Sequence, residues 1–165
     1  MPTKLSPNDF RILQVSSCIK DTSAPRWFFR CYQCLSFLKH SYRNFDEWYW
    51  TTAIPGLYSG NMEFFIALKQ DSILGILIAE NTAQKKKICT LWIPLLWRNR
   101  GIASCLIEHA FSYLQTTYPI ITFAEHKLPE FQPLLEKYHW KVDGKEFKIM
   151  TQEYELLCNT TIQET

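Results

Sequence analysis

At 165 residues, with 47% apolar and 21% charged side chains, the chain has the length and make-up of one globular domain over residues 1–165. A formal charge of +2 is too small to mark a nucleic-acid-binding surface, and no run is long and apolar enough to read as a membrane span. The opening stretch MPTKLSPNDFRILQ lacks the apolar core of a secretory leader, which points to the cytoplasm, and six cysteines set mostly within apolar patterns read as reduced thiols.

The first expected element is a strand over residues 10–17. A helix follows, with Ser23 as N-cap, Pro25 in the first turn, and Trp27, Cys31, Cys34 or Leu35, Leu38 and Tyr42 at helical spacing. Cys31 and Cys34 have no second cysteine pair to complete a zinc site, so they read as packing residues and no metal is expected. Asn44-Phe45-Asp46-Glu47 has the form of a capping box and predicts a short second helix that carries Trp48, Tyr49 and Trp50 and ends at Pro55-Gly56.

MEFFIALKQDSILGILIAEN predicts two strands joined by a tight turn at Gln70-Asp71. Both faces of each are apolar, so the strands belong in the middle of a sheet. KKKICTLWIPL is a fourth strand, and the lysines that open it read as a solvated turn. The helix after it lines up Ala103, Leu106, Ile107, Ala110, Phe111 and Leu114 on one face. YPIITFAEH reads as a fifth strand and LPEFQPLLEKYHW as a further helix. KVDGKEFKIMTQEYELLC reads as a closing hairpin turned at Asp143-Gly144, with a polar, frayed tail beyond. Asn159-Thr160-Thr161 matches a glycosylation sequon, which carries no weight without a secretory signal. The order β-α-α-β-β-β-α-β-α-β-β predicts a mixed α/β sheet with helices on both faces.

Arg98-Asn99-Arg100-Gly101 stands where the fourth strand gives way to a helix. A helix that starts near Gly101 leaves backbone N–H groups unpaired and partial positive charge at that end. An anion docked there answers both. Gly101 lets the backbone approach closely because it has no Cβ, and Arg98 and Arg100 add charge suited to phosphate oxygens. The plainer alternative is a strand-to-helix turn with solvated arginines. With only 5 glycines, the chain has neither G-x-G-x-x-G nor G-x-x-x-x-G-K-[ST].

Arg98-Asn99-Arg100-Gly101-Ile102-Ala103 fits R-x-x-G-x-A, after the strand TLWIP and opening the helix IASCLIEHAFSYL. In that setting the sequence resembles the GNAT family of acyl-CoA-dependent N-acetyltransferases, whose signature is [QR]-x-x-G-x-[GA]. LLEKYHWKVDG is similar to the family's Y-E-K-L-G-F stretch, and the element order agrees from the first strand to EFKIMTQEYEL. The resemblance implies a mostly antiparallel sheet whose central strand pair is splayed, with a β-bulge opening a slot for the thioester. It implies acetyl-CoA as co-substrate, with its pantetheine amides on backbone near Leu91 and Ile93. The pyrophosphate would be held by N–H groups of Arg98, Asn99, Arg100, Gly101, Ile102, Ala103 and Ser104. The aromatics Trp48, Tyr49, Trp50 and Tyr58 would be part core and part acceptor-pocket wall.

Acetyl transfer to an amine requires a base for the ammonium, donors for the thioester oxyanion and an acid for the leaving thiolate. Backbone N–H near Trp92 or Ile93 would serve the oxyanion. Glu125 and His126, at the end of the fifth strand, are candidate bases; the competing reading is two solvated strand-end residues. For the acid, many family members place a tyrosine where this chain has Leu135. Tyr138, one turn on, falls on the family's leucine position and reads either as a packed tyrosine or as the acid. His139 replaces the family's glycine, so the helix would lack its usual left-handed stop. The acceptor implied is a primary amine on a small molecule, a peptide or protein, or an aminoacyl group, where a charged tRNA is the one nucleic acid that fits. A non-catalytic acyl-CoA-binding or partner-binding module of the same fold is the competing reading.

Overall fold

The computed structural model describes residues 2–6, 8–149 and 152–163, the last two by backbone alone. Among the described residues, seven strands form one sheet: β1 (Arg11–Gln14), β2 (Met62–Lys69), β3 (Ser72–Asn81), β4 (Lys86–Trp92), β5 (Ile120–Ala124), β6 (Val142–Lys148) and β7 (Glu153–Cys158). Their order is β1-β2-β3-β4-β5-β7-β6, and every neighbouring pair is antiparallel except β4 and β5. Helices α1 (Ala24–Leu35), α2 (Phe45–Trp48) and α3 (Ile54–Ser59) cover one face; α4 (Ile102–Leu114) and α5 (Leu128–Tyr138) cover the other.

Side-chain alternation in β2 builds both cores. Phe64, Ile66 and Leu68 pack with the α1–α3 layer, whereas Phe65 and Ala67 pack with α4. All five are essentially buried, and each large apolar side chain buried this way stabilises the fold by about 1.5–3 kcal/mol. The β2–β3 hairpin turns at Gln70-Asp71 as expected, with Gln70 at φ 54. No helix among the described residues is long and apolar enough to cross a membrane.

Five local expectations are corrected by tertiary structure. β1 stops at Gln14 and the chain winds into a 3-10 turn over Val15–Cys18, because the buried Glu63 carboxylate accepts the Ser16 N–H (3.0 Å) and the Gln14 side-chain amide (3.0 Å). The first helix ends at Leu35, so Leu38 and Tyr42 lie beyond it, in a 3-10 turn and a loop. Pro55-Gly56 does not end the second helical stretch: the turn over Tyr49–Ala53 widens to a π-helix, which accommodates a proline that has no N–H to give, and α3 runs on to a left-handed Gly60. Asp143-Gly144 is a bulge inside β6 rather than the hairpin turn, which falls between Lys148 and Glu153. Asp143 is drawn off the ladder to accept hydrogen bonds from Thr160 Oγ1 (2.7 Å) and the Thr161 N–H (2.9 Å). The described start of the tail is accordingly ordered as a short helix, α6 (Thr160–Gln163).

Candidate functional site

β4 and β5 pair through only two register positions, Lys87 with Ile120 and Ile88 with Ile121, and then part. A bulge on β4 marks the parting: Ile78 faces Thr90 while the next residue, Ala79, faces Ile88, which leaves Cys89 as the extra residue. Beyond it, Leu91 and Trp92 pair with β3 but not with β5, so the other edge of their backbone has no strand partner. Leu91 and Ile93 pack towards the α4 core, while Trp92 joins the opposite cluster, its ring 6.5 Å from that of Phe37. Burial pushes the Cys89 thiol up to about 12, so it is no thiolate near neutral pH.

The chain leaves β4 through Pro94 and a 3-10 turn (Leu95–Trp97), then enters α4 through two left-handed residues, Asn99 (φ 61) and Gly101 (φ 90). Asn tolerates that region and Gly is free in it, so the sequence of this loop suits its path. No described side chain caps α4, whose first residue, Ile102, is buried. Arg98 is committed to the loop: its Nε donates to the Ile93 carbonyl (2.9 Å), and its guanidinium lies 3.7 Å from Glu130 on α5. Arg100 stacks over the Trp97 ring (5.1 Å), and its buried Nε has no hydrogen-bond partner among the described residues. A buried guanidinium nitrogen left unpaired beside an uncapped helix N-terminus is chemistry suited to an anion. The residues named from the sequence for the pyrophosphate, Arg98, Asn99, Arg100, Gly101, Ile102, Ala103 and Ser104, form the loop and first helical turn that follow β4.

Gly101→Val is expected to weaken CoA binding by about 1–3 kcal/mol, because a β-branched residue at φ 90 must reshape the loop. Titration calorimetry with CoA measures this, and an unchanged affinity would show that the loop does not hold the anion.

Glu125 and His126 open a 3-10 turn at the end of β5. Both face the β6–β7 hairpin: Glu125 accepts from Lys145 Nζ at 2.9 Å, and His126 Nδ1 lies 3.1 Å from Glu153 Oε2. With Glu153 and Tyr154 they line a shallow concavity. Tyr138 points elsewhere. Its hydroxyl is 3.4 Å from both the Ser104 carbonyl and Glu108 Oε1 on α4, and its ring packs against Phe111 and Trp140. Burial, ahead of the Glu108 charge, raises its pKa. His139 itself supplies the left-handed stop (φ 56), because Trp140 is pinned beyond it by hydrogen bonds to the Leu135 and Thr117 carbonyls.

The sequence reading missed Glu155 and Tyr42. Glu155 lies on β7 opposite Ala124, is 5% exposed, has Lys148 Nζ 3.8 Å from its Oε2, and raises the pKa of Tyr42 from the α1–α2 connection. The Tyr42 hydroxyl is pushed up to about 12, chiefly by burial and then by Glu155. The available signal was a lone carboxylate at an inward position of the otherwise apolar YELLC. Tyr49 is wholly core, donating to the Phe28 carbonyl (2.6 Å), whereas Tyr58 is half-exposed. Cys31 is fully buried in the α1 core, which drives its thiol pKa far up, and no three described His, Cys, Asp or Glu residues cluster closely enough to hold a metal ion.

Compared as a structure, the chain is similar to the IAA acetyltransferase from Bacillus cereus ATCC 14579, with a TM-score of 0.60 and 11% identity over 90% of this chain and 97% of that one. It is also similar to a candidate streptothricin acetyltransferase from Bacillus anthracis str. Ames, solved in complex with acetyl coenzyme A, with a TM-score of 0.55 and 14% identity over 66% and 67% of the two chains. The fold is that of the GNAT acetyltransferases. A third GNAT-like structure, nourseothricin acetyltransferase, gives a TM-score of 0.53 at 11% identity over 59% of this chain, and the match spans 64% of its own length, just under two thirds. By sequence the chain matches no protein-family model and no curated protein.

Proposed function

We propose that this GNAT-fold domain binds acetyl-CoA along the free edge of β4 and transfers the acetyl group to a primary amine of a small molecule, a peptide or protein, or an aminoacyl group. The parting of β4 from β5 directly before an uncapped helix N-terminus carries this reading. Leu91, Trp92 and Ile93 would hold the pantetheine through backbone groups, and the 98–104 loop would hold the pyrophosphate. The thioester would supply the activated acyl group; the chain would supply donors, a dry slot and a proton acceptor, for which Glu125 and His126 remain the proposed pair. The experiment is a screen of amines with labelled acetyl-CoA, scored by label transfer and CoA release.

One observation favours a second reading, a non-catalytic acyl-CoA-binding module: Tyr138 is turned to α4, and Glu125 and His126 are each engaged by a hairpin side chain. Tyr138→Phe separates the roles of that tyrosine. Its hydroxyl makes only long hydrogen bonds to α4, so kcat should stay within about twofold of wild type and stability should fall by no more than about 1 kcal/mol. A hundredfold loss of kcat would make Tyr138 the acid.

A further inference from the structure

The segment before β1 lies across the α4 loop. The Leu5 N–H donates to the Arg100 carbonyl (3.0 Å), the Leu5 side chain packs against the α4 core, and Asp9 closes the next turn by accepting the Ser6 N–H (2.6 Å). Lys4 is thereby laid along Gly101: its Cε and Cγ are 3.4 and 3.5 Å from the point where a Cβ on Gly101 would sit. Lys69 at the end of β2 holds its ammonium 5.8 Å from the Trp97 ring centre, on the same indole that Arg100 covers.

Four cations, Lys4, Lys69, Arg98 and Arg100, therefore surround one short loop. Among the described residues, Glu130 lies beside Arg98, and Asp9, itself engaged by Ser6, feels the charge of Lys69. A pyrophosphate bridge carries about two negative charges, which the α4 N-terminus and Arg100 already answer. Lys4 comes from the segment before β1 and Lys69 from the end of β2, so neither belongs to the 98–104 stretch proposed to hold the pyrophosphate. Their charge is surplus to the pyrophosphate.

Resting on the acetyl-CoA reading, we propose that Lys4 and Lys69 form a separate recognition point for the ribose 3′-phosphate of coenzyme A, and that the segment before β1 is held on the loop to present Lys4. A phosphate monoester carries about −1.5 to −2 charge at pH 7, and two ammonium groups free to reorient on flexible stems match it without fixed geometry. The site makes the protein selective for the complete nucleotide end of the cofactor.

Calorimetric titration with CoA, 3′-dephospho-CoA and 4′-phosphopantetheine tests this on wild type, Lys4→Gln, Lys69→Gln and the double variant, with thermal melts as a folding control. Wild type should prefer CoA to 3′-dephospho-CoA by about tenfold, and raising the salt to 0.5 M should shrink that preference. The double variant should lose the preference while its affinities for 3′-dephospho-CoA and 4′-phosphopantetheine stay unchanged. Equal binding of CoA and 3′-dephospho-CoA by wild type overturns the proposal and leaves the cofactor reading standing. An equal loss for both ligands in the double variant assigns the lysines to the pyrophosphate and also overturns it, and tighter CoA binding on removing Lys4 would make the segment a cover. A wild-type protein that binds neither nucleotide overturns the cofactor reading, and this proposal with it.

Discussion

Asn159→Ala is expected to destabilise the protein by about 2–4 kcal/mol, read as a lower urea midpoint at unchanged slope. Asn159 is fully buried just past β7 and adopts φ 63. Its Nδ2 donates to the Pro119 carbonyl (2.9 Å) at the start of β5, its Oδ1 accepts the Lys141 N–H (3.2 Å), and its own N–H reaches the Lys141 carbonyl (3.0 Å). One side chain thus ties β5, the α5–β6 connection and β7 together. Truncation leaves a buried carbonyl and an N–H without partners and puts alanine in a left-handed conformation that Asn tolerates better. Asn159→Asp keeps the acceptor but loses the donor and buries a charge, so it should be no better than alanine. A change under about 0.5 kcal/mol for both variants would refute the latch. The same burial means that the Asn159-Thr160-Thr161 sequon presents no accessible amide in the folded protein.

Removing the proton acceptor is expected to cost about 10²–10⁴ in kcat on the amine that the screen identifies. Glu125→Gln and His126→Ala are the two variants. Their stability effects should be small: the Glu125–Lys145 pair is about half exposed (48% and 45%) and worth about 0–1 kcal/mol, and the His126 side chain is 66% exposed. A large loss of kcat with unchanged CoA affinity and melting temperature therefore reports chemistry rather than folding. Should both variants keep wild-type kcat, neither residue is the base. Glu155, buried on β7 beside Tyr42, would be the next residue to test.

The sheet was legible where burial imposes a period. In residues 62–79 both faces are apolar because both are covered, and the two-residue turn at Gln70-Asp71 needs only local chemistry. Gly101 was legible for a similar reason, since a lone glycine between a strand and a helix has few uses other than positive φ. The splayed β4–β5 pair came from the family resemblance; nothing in the composition of either strand reports where pairing stops. The errors share a cause in distant partners. Asp143-Gly144 has the composition of a turn but is claimed by Thr160 and Thr161, His139 is forced left-handed by Trp140, and Val15 is pulled out of β1 by a carboxylate forty-eight residues away at Glu63. Tyr42 left no local signal that would join it to Glu155, because the sheet topology alone brings the two together.

Amide hydrogen exchange with and without acetyl-CoA tests the central claim most directly, because it reads the backbone groups that are proposed to hold the cofactor. Saturating acetyl-CoA should slow exchange in two stretches above all, residues 91–93 on the free edge of β4 and residues 98–104 in the loop and first turn of α4. Protection confined to other segments, or none at saturating ligand, would contradict acetyl-CoA binding in this slot.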